Sequence, residues 1–138
     1  MIKRPSRHLT WSEFACKDGT EYPEIWRSNR ALKLGIVFEL IRAAFGNKPI
    51  TVLSAYRTPE HNRAVGGARN SQHLEGRALD LRPPIGIKVT DFYRVIKALA
   101  PDTDIRGIGL YPTFVHVDIR PQTHMTYWRG FGVKDSLL

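Results

Sequence analysis

From about Ser28 to Phe45 the apolar residues Leu32, Ile36, Val37, Leu40, Ile41 and Ala44 recur at spacings of three and four. That period predicts an amphipathic helix, the main core helix of the chain, closed by Gly46 and Asn47. Ahead of it, the stretch from Thr10 to Cys16 reads as a short helix ended by a turn at Lys17, Asp18 and Gly19. The segment from Pro49 to Tyr56 is short and rich in β-branched and aromatic residues, which predicts a buried strand. Thr58 and Pro59 then open a short helix that Gly66 and Gly67 stop. Gly76 to Leu81 reads as a second strand. Thr90 and Asp91 are expected to cap a helix striped by Phe92, Val95, Ile96 and Leu99, with Pro101 just beyond its end. Ile105 to Tyr111 and Phe114 to Ile119 read as a hairpin turning at Pro112 and Thr113. A few helices with a small, mostly antiparallel sheet make an α+β fold.

The chain has 138 residues with no internal repeat and no Ser/Gly-rich or Pro-rich linker, so residues 1–138 read as one domain. Its 42% hydrophobic and 25% charged residues exclude a disordered or collagen-like chain. Twenty-one Lys and Arg against 13 Asp and Glu give a formal net charge of +8, a field that attracts anionic partners such as nucleic acid, an acidic membrane or a bacterial cell wall. The single cysteine, Cys16, excludes an internal disulfide framework and a cysteine-based zinc finger, and it fits a reducing compartment. The longest apolar stretch, 34–45, is broken by Gly35, Glu39 and Arg42, so no membrane span is expected. The basic N-terminus leads into no apolar signal core before Trp11.

The chemistry concentrates in two places. Ser71, Gln72, His73, Leu74, Glu75, Gly76, Arg77, Ala78, Leu79 and Asp80 set a His and an Asp seven positions apart, with a glycine between them that turns the chain from loop into strand. In the last predicted strand His116 and Asp118 alternate and therefore share a face. Two imidazoles and a carboxylate suit Zn²⁺, and three protein ligands leave a fourth position for water, as in a catalytic rather than a structural site. On the residues alone His73 serves equally well as a loop cap and Asp80 as the partner of Arg77 or Arg82. His8, His61 and His124 read as surface histidines, with His61 close enough to Arg57 to edge a cleft.

The run Ser54-Ala55-Tyr56-Arg57-Thr58-Pro59-Glu60-His61-Asn62, then Val65-Gly66-Gly67-Ala68, the Ser71–Asp80 motif, Gly107-Ile108-Gly109-Leu110-Tyr111 and Phe114-Val115-His116-Val117-Asp118 resemble the zinc D-Ala-D-Ala carboxypeptidase family. That family includes phage and bacterial peptidoglycan endopeptidases and shares its fold with the hedgehog signalling domain. The resemblance covers residues 54–118 in the family's order. It implies one zinc ion held by His73, Asp80 and His116. It also implies that Arg57 binds substrate or polarises the scissile carbonyl, with Ser71, Gln72 and Tyr111 as substrate contacts.

In one respect the chain departs from the family pattern: where many members carry a glutamate or histidine shortly before the last ligand, Thr113 and Phe114 stand here. Asp118 is the substitute for the missing base, and its rival role is to orient the His116 ring. The expected function is a zinc peptidase acting on peptidoglycan stem or cross-link peptides, a monomer drawn to an anionic wall. Without a signal core it reads as an endolysin made in the cytoplasm and released through a holin-type pore. The alternative is a binding module of the same fold without catalysis, for cell wall or nucleic acid, with Tyr127, Trp128 and Arg129 as stacking residues. Against nucleic acid, the chain carries no recognised nucleic-acid motif and its positive charges are scattered.

Overall fold

The computed structural model describes residues 2–133. Helix α1 (Trp11–Phe14) starts at a capping box, in which Thr10 accepts from the Glu13 amide and the Glu13 side chain reaches back to the Thr10 amide. Helix α2 (Arg30–Ala44) is the long core helix. Strand β1 (Thr51–Ser54), helix α3 (Pro59–Ala64), strand β2 (Ala78–Arg82), helix α4 (Val89–Leu99) and strands β3 (Gly107–Leu110), β4 (Val115–Asp118) and β5 (Thr126–Arg129) follow. Short 3₁₀ turns lie at Glu24–Trp26, Gln72–Glu75 and Ala100–Asp102.

The five strands form one sheet in the order β1-β2-β4-β3-β5. The β1/β2, β2/β4 and β3/β4 pairs are antiparallel, and β5 joins the edge beside β3 in parallel. The expected β3–β4 hairpin is present, its turn closed by the Tyr111 amide donating to the Phe114 carbonyl at 3.0 Å. Alternation divides the sheet. Leu79, Leu81, Ile108, Leu110, Val115 and Val117 join the hydrophobic core with Leu34, Phe38 and Ile41 of α2 and Phe92 and Ile96 of α4. The intervening positions, Asp80, His116 and Asp118, belong to the other face.

Two expectations are corrected and one strand is added. The inward face of α2 is Ala31, Leu34, Val37, Phe38 and Ile41, while Ile36 and Leu40 are exposed and Leu32 is half-buried. The apolar residues of this helix run around most of its circumference, so their spacing marks a helix without fixing its buried side. Helix α4 begins one residue before Thr90, at Val89, after Lys88 at the cap position, which supplies no side-chain cap. Strand β5 was not expected at all.

Candidate metal centre

The register of the sheet assembles the centre. Asp80 on β2 pairs directly with His116 on β4, and Ala78 pairs with Asp118, so the two carboxylates and the imidazole fall on one face of adjacent strands. Room for them comes from β3. Gly107 lies opposite Asp118 and Gly109 opposite His116. A Cβ at Gly107 would run into the Asp118 carboxylate, and one at Gly109 into the Trp128 indole. His73 arrives from the 3₁₀ turn, where the Ser71 hydroxyl caps it by accepting from the His73 amide at 3.2 Å. Gly76 ends the turn at φ 64, a left-handed conformation that glycine adopts without strain, and the chain then enters β2. The Arg57 amide donates to the His73 carbonyl at 3.1 Å and ties the loop after β1 to the same turn.

His73, Asp80 and His116 are all buried, and one donor atom from each lies within 4.8 Å of the others. Their protons are fixed from outside the cluster. His73 Nδ1 lies 2.6 Å from the Ala55 carbonyl, which only accepts, so Nδ1 carries the proton and Nε2 keeps its lone pair. That buried Nε2 has no hydrogen-bond partner among the described residues and lies 3.1 Å from Asp80 Oδ1. His116 Nε2 donates to Asp118 Oδ2 at 2.7 Å, which leaves Nδ1 of the neutral ring aimed at the same Asp80 oxygen, 3.0 Å away. Two imidazole lone pairs and a carboxylate oxygen therefore converge with no proton between them. A cation, or an added proton on one of the two rings, relieves that arrangement.

The electrostatics agree. Burial pushes His73 down, towards the neutral form a metal requires, despite the opposing pull of Asp80. For His116 burial opposes the charged form, but hydrogen bonds to Asp118 and Asp80 outweigh it and raise the value. Asp80 moves the other way: burial raises it, and its bonds to His116 and His73 bring it well below the ordinary carboxylate range. The donor set of two imidazoles and one carboxylate, with an orphaned ring nitrogen, fits a zinc ion.

The cluster opens into a cavity of about 580 Å³. Arg57 lines it with its guanidinium held on three sides, by Asp80 Oδ2 at 3.2 Å, Asn62 Oδ1 at 3.2 Å and Ser54 Oγ at 3.1 Å. Ser71, Gln72 and Tyr111 line it too, and the Gln72 Oε1 atom is buried with no partner among the described residues. Tyr111 stacks on Phe114 with centroids 4.5 Å apart and accepts from the Trp128 indole at 3.0 Å. His61 is not part of the lining.

Asp118 does not reach the cavity. It is fully buried behind His116, and Arg120 donates to it from Nε at 2.9 Å and Nη2 at 2.8 Å, with the Arg120 amide adding a third bond. Burial raises the Asp118 carboxyl, yet Arg120 and His116 hold it at about 2. Among the described residues that line the cavity, Asp80 is the one carboxylate.

Several contributors were missed in the sequence. Asn62 on α3, Phe114, and Arg120 two positions beyond Asp118 had their signal in spacing alone. Trp128, expected as a stacking residue for nucleic acid, packs its indole 4.9 Å from the His116 ring because β5 places it beside Gly109.

A sequence profile of the peptidase M15 family matches residues 7–118. Over 43 residues, 31% of this chain and 17% of the relative, the chain is 49% identical to the zinc D-Ala-D-Ala carboxypeptidase of Streptomyces albus G. Over 91 residues, 61% of this chain and 45% of the relative, it is 33% identical to a Haemophilus influenzae protein named "Probable peptidoglycan L,D-endopeptidase MepK". The chain thus spans less than half the length of either relative.

Proposed function

The chain belongs to the peptidase M15 family, and from that premise we propose that it is a zinc-dependent peptidase hydrolysing a peptide bond in the stem or cross-link peptides of bacterial peptidoglycan. The observation that carries the reading is the convergence of the His73 Nε2, His116 Nδ1 and Asp80 Oδ1 lone pairs on one point at the floor of an open cavity. Those three residues would hold the ion. Bound zinc supplies an activated water and a Lewis acid for the scissile carbonyl.

The remaining roles fall to the chain's own side chains. Asp118 acts through His116: it holds the ring with Nδ1 facing the metal position, and its burial supports this orienting role over that of a base acting on substrate. Arg57 spends three of its five N–H groups on Asp80, Asn62 and Ser54, which leaves two for a substrate carbonyl or carboxylate. The unpaired Gln72 oxygen is suited to accept a substrate amide, and Tyr111, Phe114 and Trp128 form an aromatic wall against which a peptide can lie. Ser71, spent on capping the His73 turn, acts mainly by holding that ligand. The setting we propose is cell-wall degradation of the endolysin type.

The test is zinc content and turnover measured together. Purified protein should carry about one equivalent of zinc, the number one such site holds, and should clear a cell-wall suspension. Clearing that survives both chelation and His73→Ala removes the proposal.

A further inference from the structure

Outside the metal centre, one of the concavities gathers three cationic side chains. It encloses about 460 Å³ and is walled by Trp26, Arg30, Lys33 and Arg77, with Ile119 and Pro121 closing one side. It shares no lining residue with the metal cavity. Arg30 stacks its guanidinium 4.3 Å above the Trp26 ring and donates from Nη1 to the Glu75 carbonyl at 2.7 Å. The Glu75 carboxylate is a loose partner at 3.7 Å and largely solvated. Arg77 is half-buried and makes no side-chain hydrogen bond or ion pair among the described residues, nor does Lys33. Burial and the charge of Arg30 push the Arg77 guanidinium below its ordinary value, and the exposed Glu75 carboxylate offsets this only in part. Desolvating a guanidinium beside another without a counter-charge is costly, and an anion seated there removes the cost.

We propose that this concavity is a second binding site, for the phosphate groups of a polyol-phosphate polymer on the target surface. Three cations against one carboxylate leave a local charge suited to a phosphate, and two guanidinium forks offer paired donors to its oxygens. A nucleic acid fits less well. One face of Trp26 is covered by the Arg30 guanidinium, and the half-buried ring meets Tyr22 and Tyr56 at centroid distances of 6.2 and 6.0 Å, so the ring face beside the cations is not offered to a base. The site goes beyond the peptidase reading and requires none of its steps. It turns the general attraction of a basic chain for an acidic wall into a localised contact.

The test is binding of a synthetic glycerol-phosphate oligomer at low salt, followed by calorimetry and by the Trp26 indole resonance. Wild type and His73→Ala should bind alike, which keeps this result apart from the fate of the zinc proposal. The double variant Lys33→Gln/Arg77→Gln should lose about tenfold in affinity, while Lys88→Gln/Arg94→Gln, of equal charge at exposed positions outside the lining of the concavity, should lose less than about threefold. Because Arg77 is half-buried, Lys33→Gln alone, at an exposed position, serves as the check that folds, with a loss of about threefold or more. Equal losses in the two double variants, or a Lys33→Gln protein that binds like wild type, overturn the proposal. So does equally tight binding of polyglutamate or of a single-stranded oligonucleotide carrying as many charges.

Discussion

Asp118 accepts the Nε2–H of His116 at 2.7 Å from the side of the ring that faces away from Asp80, while Arg120 donates twice to the same carboxylate. A carboxylate so placed fixes the tautomer of its histidine and leaves the other nitrogen free for a metal. Asp118→Ala should therefore weaken zinc binding by about 10- to 100-fold, and Asp118→Asn, which still offers an acceptor, by less. Competition with a chromogenic chelator reads this directly. Unchanged zinc affinity with lost turnover would instead return Asp118 to the role of a base.

Arg57 is held by three acceptors that a lysine cannot meet at once. Arg57→Lys should keep its zinc and lose about 100-fold in kcat/KM on a wall peptide, the scale of one missing oxyanion donor. Steady-state rates beside metal analysis test this, and loss of the metal together with the activity would mark Arg57 as a support for Asp80 only.

Gly107 has no side chain because the Asp118 carboxylate occupies the space a methyl would need. Gly107→Ala should destabilise the protein by about 1–3 kcal/mol through overpacking and weaken zinc binding as Asp118 is displaced. Denaturant melts with and without zinc give both numbers.

In metal-free protein the groups of the centre pull stability in opposite directions with pH: His73, pushed down by burial, contributes fully above about pH 6.5 and loses that contribution as the pH falls through its folded value. The Asp118 carboxyl lies at about 2 against an ordinary 3.8, so its contribution is full above about pH 4 and is lost as the pH falls through its folded value. His116 is raised above 6.5, so its contribution is full below about pH 6.5 and is lost as the pH rises through the folded value. Zinc takes the place of the proton on His116 Nδ1 and reverses the His116 trend. The rise in Tm on adding zinc should thus grow from pH 5 to pH 8, by about the proton-linked increment of metal binding. A constant rise across that range would contradict the assignment of Nδ1.

Much of this was legible in the chain, and the failures have physical reasons. The strands that carry Asp80 and His116 were both expected, and alternation put His116 and Asp118 on one face, but the pairing of Asp80 with His116 is between strands distant in sequence and left no local signal; the β-branched and aromatic residues of 49–56 marked a third strand. Strand β5 escaped because Thr126–Arg129 is four residues long, half exposed, and held by a parallel edge pairing that leaves no local pattern. The buried face of α2 escaped because Leu32, Ile36 and Leu40 form an apolar row as regular as the one inside. Arg120 escaped because it lies past the end of β4, where strand alternation no longer says where a side chain points, although it donates to the buried Asp118 carboxylate.

The central claim is that a metal held by His73, Asp80 and His116 drives cleavage of a wall peptide. Zinc-loaded and zinc-stripped protein, with His73→Ala beside them, should be incubated with disaccharide peptides of defined sequence and the fragments weighed by mass spectrometry. Cleavage at one peptide bond by the loaded protein is expected, with its loss on stripping, its return when zinc is restored, and none from His73→Ala. Intact substrates with the loaded protein, or equal cleavage by the stripped protein and His73→Ala, would contradict the claim.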